Sequence, residues 1–324
     1  MQKELPLLSI VVPLYNEANI LTAFHARLMA VLETLKRTLN IASEIIYVND
    51  GSTDTSAMVL LALKTQDPSI AIIDLSRNFG KEIALSAGLD HTHGDATIVI
   101  DADLQDPPEI IPKLIEQWQK GFDVVFATRI SRAGESWIKK RSAQLFYRLL
   151  NKISPIQIPV DTGDFRLLSR RSVEALKHLR ETHRFMKGLF SWVGFPQIAV
   201  PYERDPRFGG ESKFNYWKLW NLAIEGITSF SIAPLKLSTY FGFTTACVAF
   251  IYALVIVYKT LVFGESVQGY PSLMVVMLFL GGIQLITLGI IGEYLGRTFV
   301  ETKRRPLYLV KNYSPSDLDS SAIT

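Results

Sequence analysis

Two uncharged apolar segments near the end of the chain, 237–258 and 270–292, constrain the fold more than any other feature. Each is long enough to cross a bilayer, which takes roughly 20 apolar residues. Both are apolar on every face, so neither can be the surface helix of a soluble domain. The alternative is a helical hairpin buried in a soluble core, but a chain of 324 residues leaves little protein to cover it. We therefore predict a membrane hairpin over 234–300.

Charged residues around this hairpin predict its orientation. The connecting loop contains Glu265 and no basic residue, whereas basic residues lie outside both spans. Because Lys and Arg are enriched on the cytoplasmic side, we expect both termini and the domain over 1–212 in the cytoplasm, with a cytoplasmic tail over 301–324. Met1–Leu8 does not resemble a signal peptide, which favours the same orientation. The flanking basic residues are Lys236, Arg297, Lys303, Arg304 and Arg305.

The first 212 residues alternate strand-like apolar segments with helix-like ones. This alternation predicts an α/β domain with a mostly parallel sheet that is covered by helices on both faces. In such sheets, ligands bind at the carboxyl ends of the strands. The predicted strands are 7–12, 44–48, 70–75, 96–100 and 124–127, and the predicted helices are 20–35, 53–63, 83–89 and 110–118.

Asp101 and Asp103 follow the predicted strand 96–100 directly, at the point where the strand becomes a loop. Two carboxylates at this spacing can share a hard divalent cation, and Mg²⁺ prefers one or two carboxylates together with substrate phosphate oxygens. We therefore predict a Mg²⁺ or Mn²⁺ site here. A solvated loop is the alternative, because an Asp-X-Asp pattern alone is a weak signal.

The end of the first predicted strand carries a group of residues that could hold a nucleobase. An aromatic residue and an acid lie there, where ligands bind in sheets of this kind. The alternative is local, because Asn16 could cap the helix that follows, and both interpretations can hold together. The candidates for binding a donor substrate at this strand end are Pro13, Tyr15 and Glu17.

Asp50 closes the second predicted strand, and its carboxylate could accept the N3 hydrogen of uracil. Gly51 would permit close approach of the backbone, and Ser52 or Thr53 could cap the next helix. The sequence contains neither the Gly-X-Gly-X-X-Gly dinucleotide fingerprint nor a Walker phosphate loop. These absences argue against a dehydrogenase and against a kinase or ATPase.

Two further segments, 137–153 and 213–233, mix basic residues with aromatic and aliphatic ones. Such a composition suits an amphipathic helix in a membrane interface, but it also suits an ordinary helix packed on the sheet. We favour the interface for 213–233, because it directly precedes the hairpin, and leave 137–153 open. The net charge of +3 is too small to indicate nucleic-acid binding, and the single cysteine, Cys247, excludes an intramolecular disulfide.

Taken together, the strand ends resemble those of the family 2 glycosyltransferases, which have a GT-A fold built on a Rossmann-like α/β domain. Within that family, the chain looks like the polyprenyl-phosphate glycosyltransferases, which include bacterial bactoprenol glucosyltransferases and dolichol-phosphate mannose synthase. The Gln-X-X-Arg-Trp motif of processive polysaccharide synthases is missing, which points to transfer of a single sugar. The resemblance is carried by segments 11–17, 49–54, 78–81, 101–109, 162–167 and 208–214.

The resemblance implies roles for residues on the donor side. Asp103, with Asp101 in support, should hold the metal and the donor diphosphate. Lys81 and Gln105 should bind the donor as well. For Lys81, a plain surface lysine is the alternative.

The resemblance also places Asp164 and Arg166 near the reacting centre. The family assigns this Asp as a base, but a phosphate acceptor with a second pKa of roughly 6 is already ionised at neutral pH, so we favour a positioning role. A structural salt bridge between Asp164 and Arg166 is the alternative. Two anionic substrates also need cations between them; for Arg207 and Lys213, attraction to lipid headgroups is the alternative. The candidates for this phosphate clamp are Arg129, Arg132, Arg166, Arg207 and Lys213.

The resemblance therefore implies inverting transfer of one sugar, with UDP-glucose as the expected donor, to undecaprenyl phosphate at a bacterial inner membrane. It also implies a homo-oligomer, for which we expect a tetramer, and we expect no nucleic-acid partner. Two other functions stay open. One is a glycolipid synthase with a lipid hydroxyl acceptor, which would need Asp164 as a true base. The other is a non-catalytic, nucleotide-sugar-binding membrane scaffold.

Overall fold

An α/β domain is followed by two long helices and a final strand. The computed structural model describes residues 6–130, 148, 152, 159, 162–203, 227–263 and 269–320. Its strands are β1 (Leu7–Leu14), β2 (Ala42–Asn49), β3 (Ile70–Leu75), β4 (Ala96–Val99), β5 (Val124–Arg129), β6 (Thr162–Ser169), β7 (Gln197–Tyr202) and β8 (Val310–Ser314). Its helices are α1 (Ala18–Leu39), α2 (Ser56–Gln66), α3 (Lys81–Asp90), α4 (Ile111–Gln119), α5 (Arg170–His178), α6 (Met186–Trp192), α7 (Ala233–Phe263), α8 (Tyr270–Thr302) and α9 (Asp317–Ser320).

The eight strands of the described residues form one mixed, mostly parallel sheet in the order β7-β5-β6-β4-β1-β2-β3-β8. The pairs β1–β2, β1–β4, β2–β3 and β5–β7 are parallel, and the pairs β3–β8, β4–β6 and β5–β6 are antiparallel. The five predicted strands are confirmed as β1 to β5. Because β2 and β4 flank β1 on opposite sides, the carboxyl ends of all three meet in one crevice, the usual ligand site of such sheets.

Helices cover both faces of the sheet, as the sequence alternation predicts. Phe24 of α1 is fully buried in the core on one face, and Leu85 of α3 is buried in the core on the other. Full burial of such a side chain contributes about 1.5–3 kcal/mol. Helix α3 lies especially close to β1, since a Cβ atom on Gly88 would come within 2.3 Å of Val11 Cγ1. This close packing holds α3 on the centre of the sheet, with its first residue at the carboxyl edge.

Strands β6 and β7 were not recognised in the sequence. Strand β6 places Asp164 and Arg166 among its apolar residues, and these charges mask the pattern of a buried strand. Strand β7 has only two buried positions, Val200 and Tyr202, so its composition resembles that of a loop. Both strands bring residues to the edge of the sheet that holds the ends of β1 and β4.

Strand β8 lies within the segment 301–324, which the sequence predicts as a cytoplasmic tail; the cytoplasmic location stays a prediction. After the two long helices, the chain returns to the α/β domain and adds β8 antiparallel to the edge strand β3. Lys64 of α2 fixes this return, because its ammonium donates to the carbonyl oxygens of Ile70 at 2.9 Å and of Ser314 at 3.2 Å. The strand is short, polar and exposed, so its apolar pattern was too weak to predict it.

Helices α7 and α8 contain the two predicted spans. The most apolar 18-residue windows within Ala233–Val262 and Leu273–Thr302 have mean hydropathies of 2.1 and 2.4, and no part of either window is buried. A hairpin inside a soluble core would be covered, so that alternative is wrong. Each stretch has 30 residues and is about 45 Å long at 1.5 Å per residue. This exceeds the hydrocarbon core of a bilayer, about 30 Å, so each helix is long enough to cross one.

The start of α7 and the end of α8 lie beside the α/β domain. Glu301, near the end of α8, accepts a hydrogen bond from the backbone N–H of Thr182 at 2.7 Å. Tyr294 of α8 donates its hydroxyl to the carbonyl oxygen of Ser231, just before α7, at 2.6 Å. These contacts, together with β8, place both ends of the hairpin beside the same domain.

The two predicted interface helices are left largely untested. Most of 137–153, and residues 213–226 of the segment 213–233, lie outside the residues that the structure describes. Residues 227–230 are helical and lead into α7. The interface location of 213–233 therefore stays a prediction, and that of 137–153 stays open.

Candidate active site

A cleft of about 350 Å³ opens at the carboxyl ends of β1, β2 and β4, within the range of small-molecule sites. It brings together seven of the residues predicted from the sequence: Pro13, Tyr15, Glu17, Asp50, Lys81, Asp101 and Asp103. It also includes Asn78 and Gly80, which were not singled out. The recognised segment 78–81 could have indicated them, because it follows β3 and starts α3 at the same edge of the sheet.

The loops after β1 and β2 interlock and form one wall of the cleft. Asn16 does not cap α1, as one interpretation of the sequence had it. Its side-chain oxygen instead accepts the backbone N–H of Thr53 at 2.8 Å, and its own N–H donates to Ser52 Oγ at 3.0 Å. Ser52 and Thr53 are thereby used in this loop, and α2 begins only at Ser56. The backbone turns at Asn16, which has a positive φ of 56°. The preceding residue, Tyr15, lies in the cleft wall with 40% of its surface exposed.

Asp50 is almost fully buried and holds a second wall in place. Its two carboxylate oxygens accept the backbone N–H groups of Phe79 at 2.7 Å and Gly80 at 2.9 Å. Burial raises the pKa of Asp50, and these two hydrogen bonds oppose the shift. Each carboxylate oxygen can accept more than one hydrogen bond, and Asp50 still lines the cleft. Its contact with a uracil ring therefore stays a prediction.

Gly51 allows this second wall to approach the loop after β2. Its φ is +63°, and a Cβ atom there would lie 2.4 Å from the carbonyl carbon of Arg77 and 2.6 Å from the amide nitrogen of Asn78. Both are backbone atoms, so no side-chain rotation could relieve the overlap. A residue without a side chain is required here.

Lys81 lies between two carboxylates at the floor of the cleft. Its ammonium is 2.6 Å from Asp101 Oδ2 and 2.5 Å from Asp164 Oδ2. Burial alone would lower the pKa of Lys81, but the two carboxylates outweigh it and raise the pKa well above its ordinary value. The interpretation of Lys81 as a plain surface lysine is therefore wrong. A permanent cation sits where two like charges would otherwise repel each other.

The pKa values of the two carboxyl groups beside Lys81 shift in opposite directions. Burial would raise the pKa of Asp164, but the Lys81 ammonium outweighs it and holds that pKa well below its usual range. Burial raises the pKa of Asp101, against the opposing effect of Lys81. Asp164 is thus the firmly ionised partner of Lys81. A carboxylate held in this state is a weak base.

Arg166 is buried beside the cleft and does not line it. Its Nε donates to the carbonyl oxygen of Asp164 at 3.2 Å, and its Nη2 donates to that of Gly163 at 2.8 Å. Its guanidinium lies 3.7 Å above the ring of Phe190 in α6. Burial lowers the pKa of Arg166 to about 10, so it remains charged at neutral pH. The carboxylate of Asp164 pairs with Lys81 and not with Arg166, as the alternative from the sequence had it. Arg166 instead supports the backbone at the start of β6 and does not join a phosphate clamp.

The loop that carries Asp101 and Asp103 is tightly turned. Leu104 has a positive φ of 58°, and the backbone N–H of Gln105 donates to Asp103 Oδ1 at 3.1 Å. Gln105 is buried and does not line the cleft, so its contribution here is through the backbone. Among the described residues, no cluster of three or more His, Cys, Asp or Glu side chains could hold a metal alone. A divalent ion would need one or two carboxylates plus substrate oxygens, and Asp101 and Asp103 fit that donor set.

Asp106 and Tyr202 join the site and were not predicted. The Tyr202 hydroxyl donates a short hydrogen bond to Asp106 Oδ1, and Arg129 Nε donates to the same hydroxyl at 3.5 Å. Burial, reinforced by Asp106, raises the pKa of Tyr202, so the phenol stays protonated. This link ties the predicted clamp residue Arg129 to the Asp101 loop. Tyr202 ends the unrecognised strand β7, so no sequence signal marked it.

The remaining predicted clamp residues cannot be placed. Arg132, Arg207 and Lys213 lie outside the residues that the structure describes. In the sequence, Arg132 follows β5, and Arg207 and Lys213 follow β7. Their role therefore stays a prediction.

Comparison with protein families gives two matches. Residues 9–177 match the family described as Glycosyl transferase family 2. Residues 233–298 match the family described as GtrB C-terminal hairpin. The first includes every residue that lines the cleft, and the second covers nearly all of α7 and α8.

Individual relatives are similar along 94% of the chain. An uncharacterised glycosyltransferase of Synechocystis sp. is 54% identical over 305 residues, which cover 94% of this chain and 95% of that protein. A prophage bactoprenol glucosyl transferase homolog of Escherichia coli K12 is 50% identical over 304 residues, 94% of this chain and 98% of that protein. A bactoprenol glucosyl transferase of Shigella phage SfX is 50% identical over 305 residues, 94% of this chain and 99% of that protein.

Proposed function

The chain belongs to the family 2 glycosyltransferases, and on that premise we propose that it transfers one glucose residue from UDP-glucose to the phosphate of a polyprenyl lipid of the bactoprenol type. One observation supports this most directly. A cleft with Asp101, Lys81 and Asp103 on its floor and an uncovered apolar hairpin are joined in a single chain. The relatives that share both parts over their full length include bactoprenol glucosyl transferases.

The donor would lie along the cleft, with its nucleobase near Tyr15 and Asp50 and its diphosphate at the Asp101 loop. Asp103 and Asp101 would hold a Mg²⁺ or Mn²⁺ ion, whose charge offsets the charge that develops on the diphosphate leaving group. Lys81 would keep Asp101 and Asp164 together and so preserve the shape of the floor before the donor arrives. Preorganised charge of this kind is a large contribution to catalysis.

The acceptor would attack with an oxygen that is already ionised. A phosphate monoester has a second pKa of roughly 6, so a dianion oxygen can form the bond to the anomeric carbon while the bond to UDP breaks. No proton is transferred, and the configuration at that carbon is inverted. Asp164, firmly ionised and paired with Lys81, suits a positioning role better than that of a base.

The membrane hairpin would hold the cleft close to a substrate that cannot leave the bilayer. Binding both substrates on one frame converts a search in three dimensions into a local encounter. Both ends of the hairpin lie beside the same domain, so the domain and both termini would share one side of the membrane. The distribution of basic residues supports the cytoplasmic side of a bacterial inner membrane. The homo-oligomer, with a tetramer as the expected form, stays a prediction.

The proposal is tested with the purified full-length protein in lipid vesicles that contain undecaprenyl phosphate. UDP-glucose, UDP-N-acetylglucosamine and GDP-mannose are added separately, with Mg²⁺, with Mn²⁺ or with a chelator, and the lipids are analysed by mass spectrometry. We expect a glucosylated lipid phosphate from UDP-glucose, and only when metal is present. Asp103→Asn should abolish the product, while Asp95→Asn, which alters a carboxylate at the opposite end of the sheet, should not. Equal rates for Asp103→Asn and the parent protein would refute the proposal.

The same assay separates the two alternative functions. A lipid hydroxyl acceptor would need a base, so Asp164→Asn would then remove all activity, whereas an ionised phosphate acceptor should leave a residual rate. A non-catalytic scaffold would release no UDP in the presence of lipid phosphate and metal.

A further inference from the structure

The short helix α6 touches the helix that carries Lys81. Glu82, the next residue along α3, directs its carboxylate to α6, where Oε2 accepts the backbone N–H of Met186 at 3.0 Å. One turn later, Ser86 Oγ lies 3.9 Å from the sulfur of Met186, which is fully buried. The first two turns of α3 are therefore attached to the start of α6.

The same helix supports the strand that carries Asp164. The Phe190 ring lies under the Arg166 guanidinium at 3.7 Å, and Arg166 holds the carbonyl oxygens of Gly163 and Asp164. Removal of the ring would take away a cation–π contact and the floor on which Arg166 rests. Helix α6 therefore contacts the supports of both partners of the ion pair. It contacts α3, which carries Lys81, through Glu82, and it contacts β6, which carries Asp164, through Arg166.

The outer side of α6 packs against the base of the membrane hairpin. A Cβ atom on Gly188 would lie 2.3 Å from Cε2 and 2.4 Å from Cζ of Phe230, so the ring rests directly on the helix backbone. Phe185 meets the same ring edge to face, with centroids 6.2 Å apart. Phe230 precedes α7, and the carbonyl oxygen of the next residue, Ser231, accepts a hydrogen bond from the Tyr294 hydroxyl of α8.

We propose that α6 couples the base of the membrane hairpin to the Lys81–Asp164 pair, and that Glu82 is the positioning residue of this link. The idea rests on the proposed function, because the pair is assigned there to the reaction. A displacement of Phe230 moves the backbone of α6, the Met186 N–H moves with it, and Glu82 transmits the movement to Lys81. The active geometry then depends on how the hairpin base is seated, close to where a lipid acceptor must arrive.

A double-mutant cycle measures the coupling. Glu82→Leu removes the acceptor on one side of α6, and Gly188→Ala displaces the Phe230 ring on the other. Each should lower kcat for lipid glucosylation by about fivefold or more, with the affinity for UDP unchanged. If both act through α6, the loss in the double variant should be well below the product of the single losses. The control pair, Glu82→Leu with Gly121→Ala, should give multiplicative losses, because nothing lies within 4 Å of a Cβ at Gly121.

Two rescues separate positioning from general destabilisation. Glu82→Gln retains a side-chain oxygen for the Met186 N–H and should restore most of the kcat that Glu82→Leu loses. In a Phe230→Leu background, Gly188→Ala should have little further effect, because the ring atoms that it would meet are gone.

Hydrogen–deuterium exchange tests the link without any turnover. Gly188→Ala should speed exchange in α3 and leave α2 unchanged, since α2 lies on the opposite face of the sheet. This measurement remains informative if the parent protein transfers no sugar, in which case the proposed function fails separately. Multiplicative losses in the Glu82–Gly188 cycle, or unaltered exchange in α3, would overturn the inference.

Discussion

Replacement of Gly51 by alanine should disable the donor cleft without touching any residue proposed to contact the reacting atoms. The φ of +63° at Gly51 places an alanine in the left-handed region, at a cost of about 1–2 kcal/mol. The new Cβ would also lie 2.4–2.8 Å from three backbone atoms of Arg77 and Asn78. Because these atoms are backbone, the whole loop after β3 must move by several tenths of an ångström.

The magnitude follows from what holds that loop. Phe79 and Gly80 donate to the buried Asp50 carboxylate, and hydrogen bonds to charged groups contribute about 1.5–3 kcal/mol each. If half of one such bond is lost when the loop moves, the cleft is destabilised by roughly 1 kcal/mol beyond the conformational strain. Since 1.36 kcal/mol corresponds to tenfold, roughly 1 kcal/mol corresponds to about fivefold, and we expect kcat/KM for UDP-glucose to fall by at least that factor.

The assay compares Gly51→Ala with Gly121→Ala. Gly121 also has a positive φ, of +98°, but nothing lies within 4 Å of its Cβ position. An alanine there carries at least as much backbone strain, without the overlap and at a distance from the cleft. UDP affinity is measured by calorimetry, and lipid glucosylation by radiolabelled glucose. The reasoning fails if Gly51→Ala keeps the UDP affinity of the parent protein, or if Gly121→Ala loses as much.

Three other predictions concern the ion pair, its neighbour and the final strand. Lys81→Met should lower glucosylation by at least about tenfold, with Lys81→Arg less damaging. Because 44% of the Lys81 side chain is exposed, we expect the free energy of unfolding to fall by about 1 kcal/mol, less than the 3–5 kcal/mol lost when a fully buried pair is broken. A fully active Lys81→Met would contradict the proposed role of Lys81 in the cleft. Burial, reinforced by Asp164, raises the pKa of Glu82 from 4.5 to about 7. The native state then binds this proton more tightly than the unfolded chain, so stability should fall as pH rises through that window, and thermal unfolding of Glu82→Gln should lack this slope. A chain that ends at Thr302 should still enter membranes but melt earlier and be cleaved faster by protease, whereas an unchanged melting temperature would show that β8 adds no stability.

The sequence was informative where chemistry follows directly from local order. Asp50 and Asp101 each follow an apolar strand, and the rule that parallel strands end at one edge was enough to predict that they meet. The hairpin was equally clear, because length and the absence of charge decide membrane crossing with little help from tertiary structure.

The partners of these residues could not be predicted in the same way. Lys81 and Asp164 are far apart in the chain and belong to a helix and to an antiparallel strand whose apolar pattern is interrupted by charges. Their pairing depends on how α3 and β6 cross the sheet, which no local pattern encodes. Arg166 was misjudged for a related reason, because a motif shows that an arginine is near a site but not that it faces backbone carbonyls and an aromatic ring.

The position of β8 has a consequence for how the enzyme is made. Domains usually begin to fold from the N-terminus during synthesis, but here the last strand of the sheet leaves the ribosome after both hydrophobic helices. Until then, β3 is an open edge with unpaired backbone groups, which other chains can recruit. The sheet can therefore be completed only after the hairpin has been synthesised. A nascent chain that fails to insert into the bilayer exposes both the unpaired edge of β3 and two apolar helices, and quality-control proteases can recognise either.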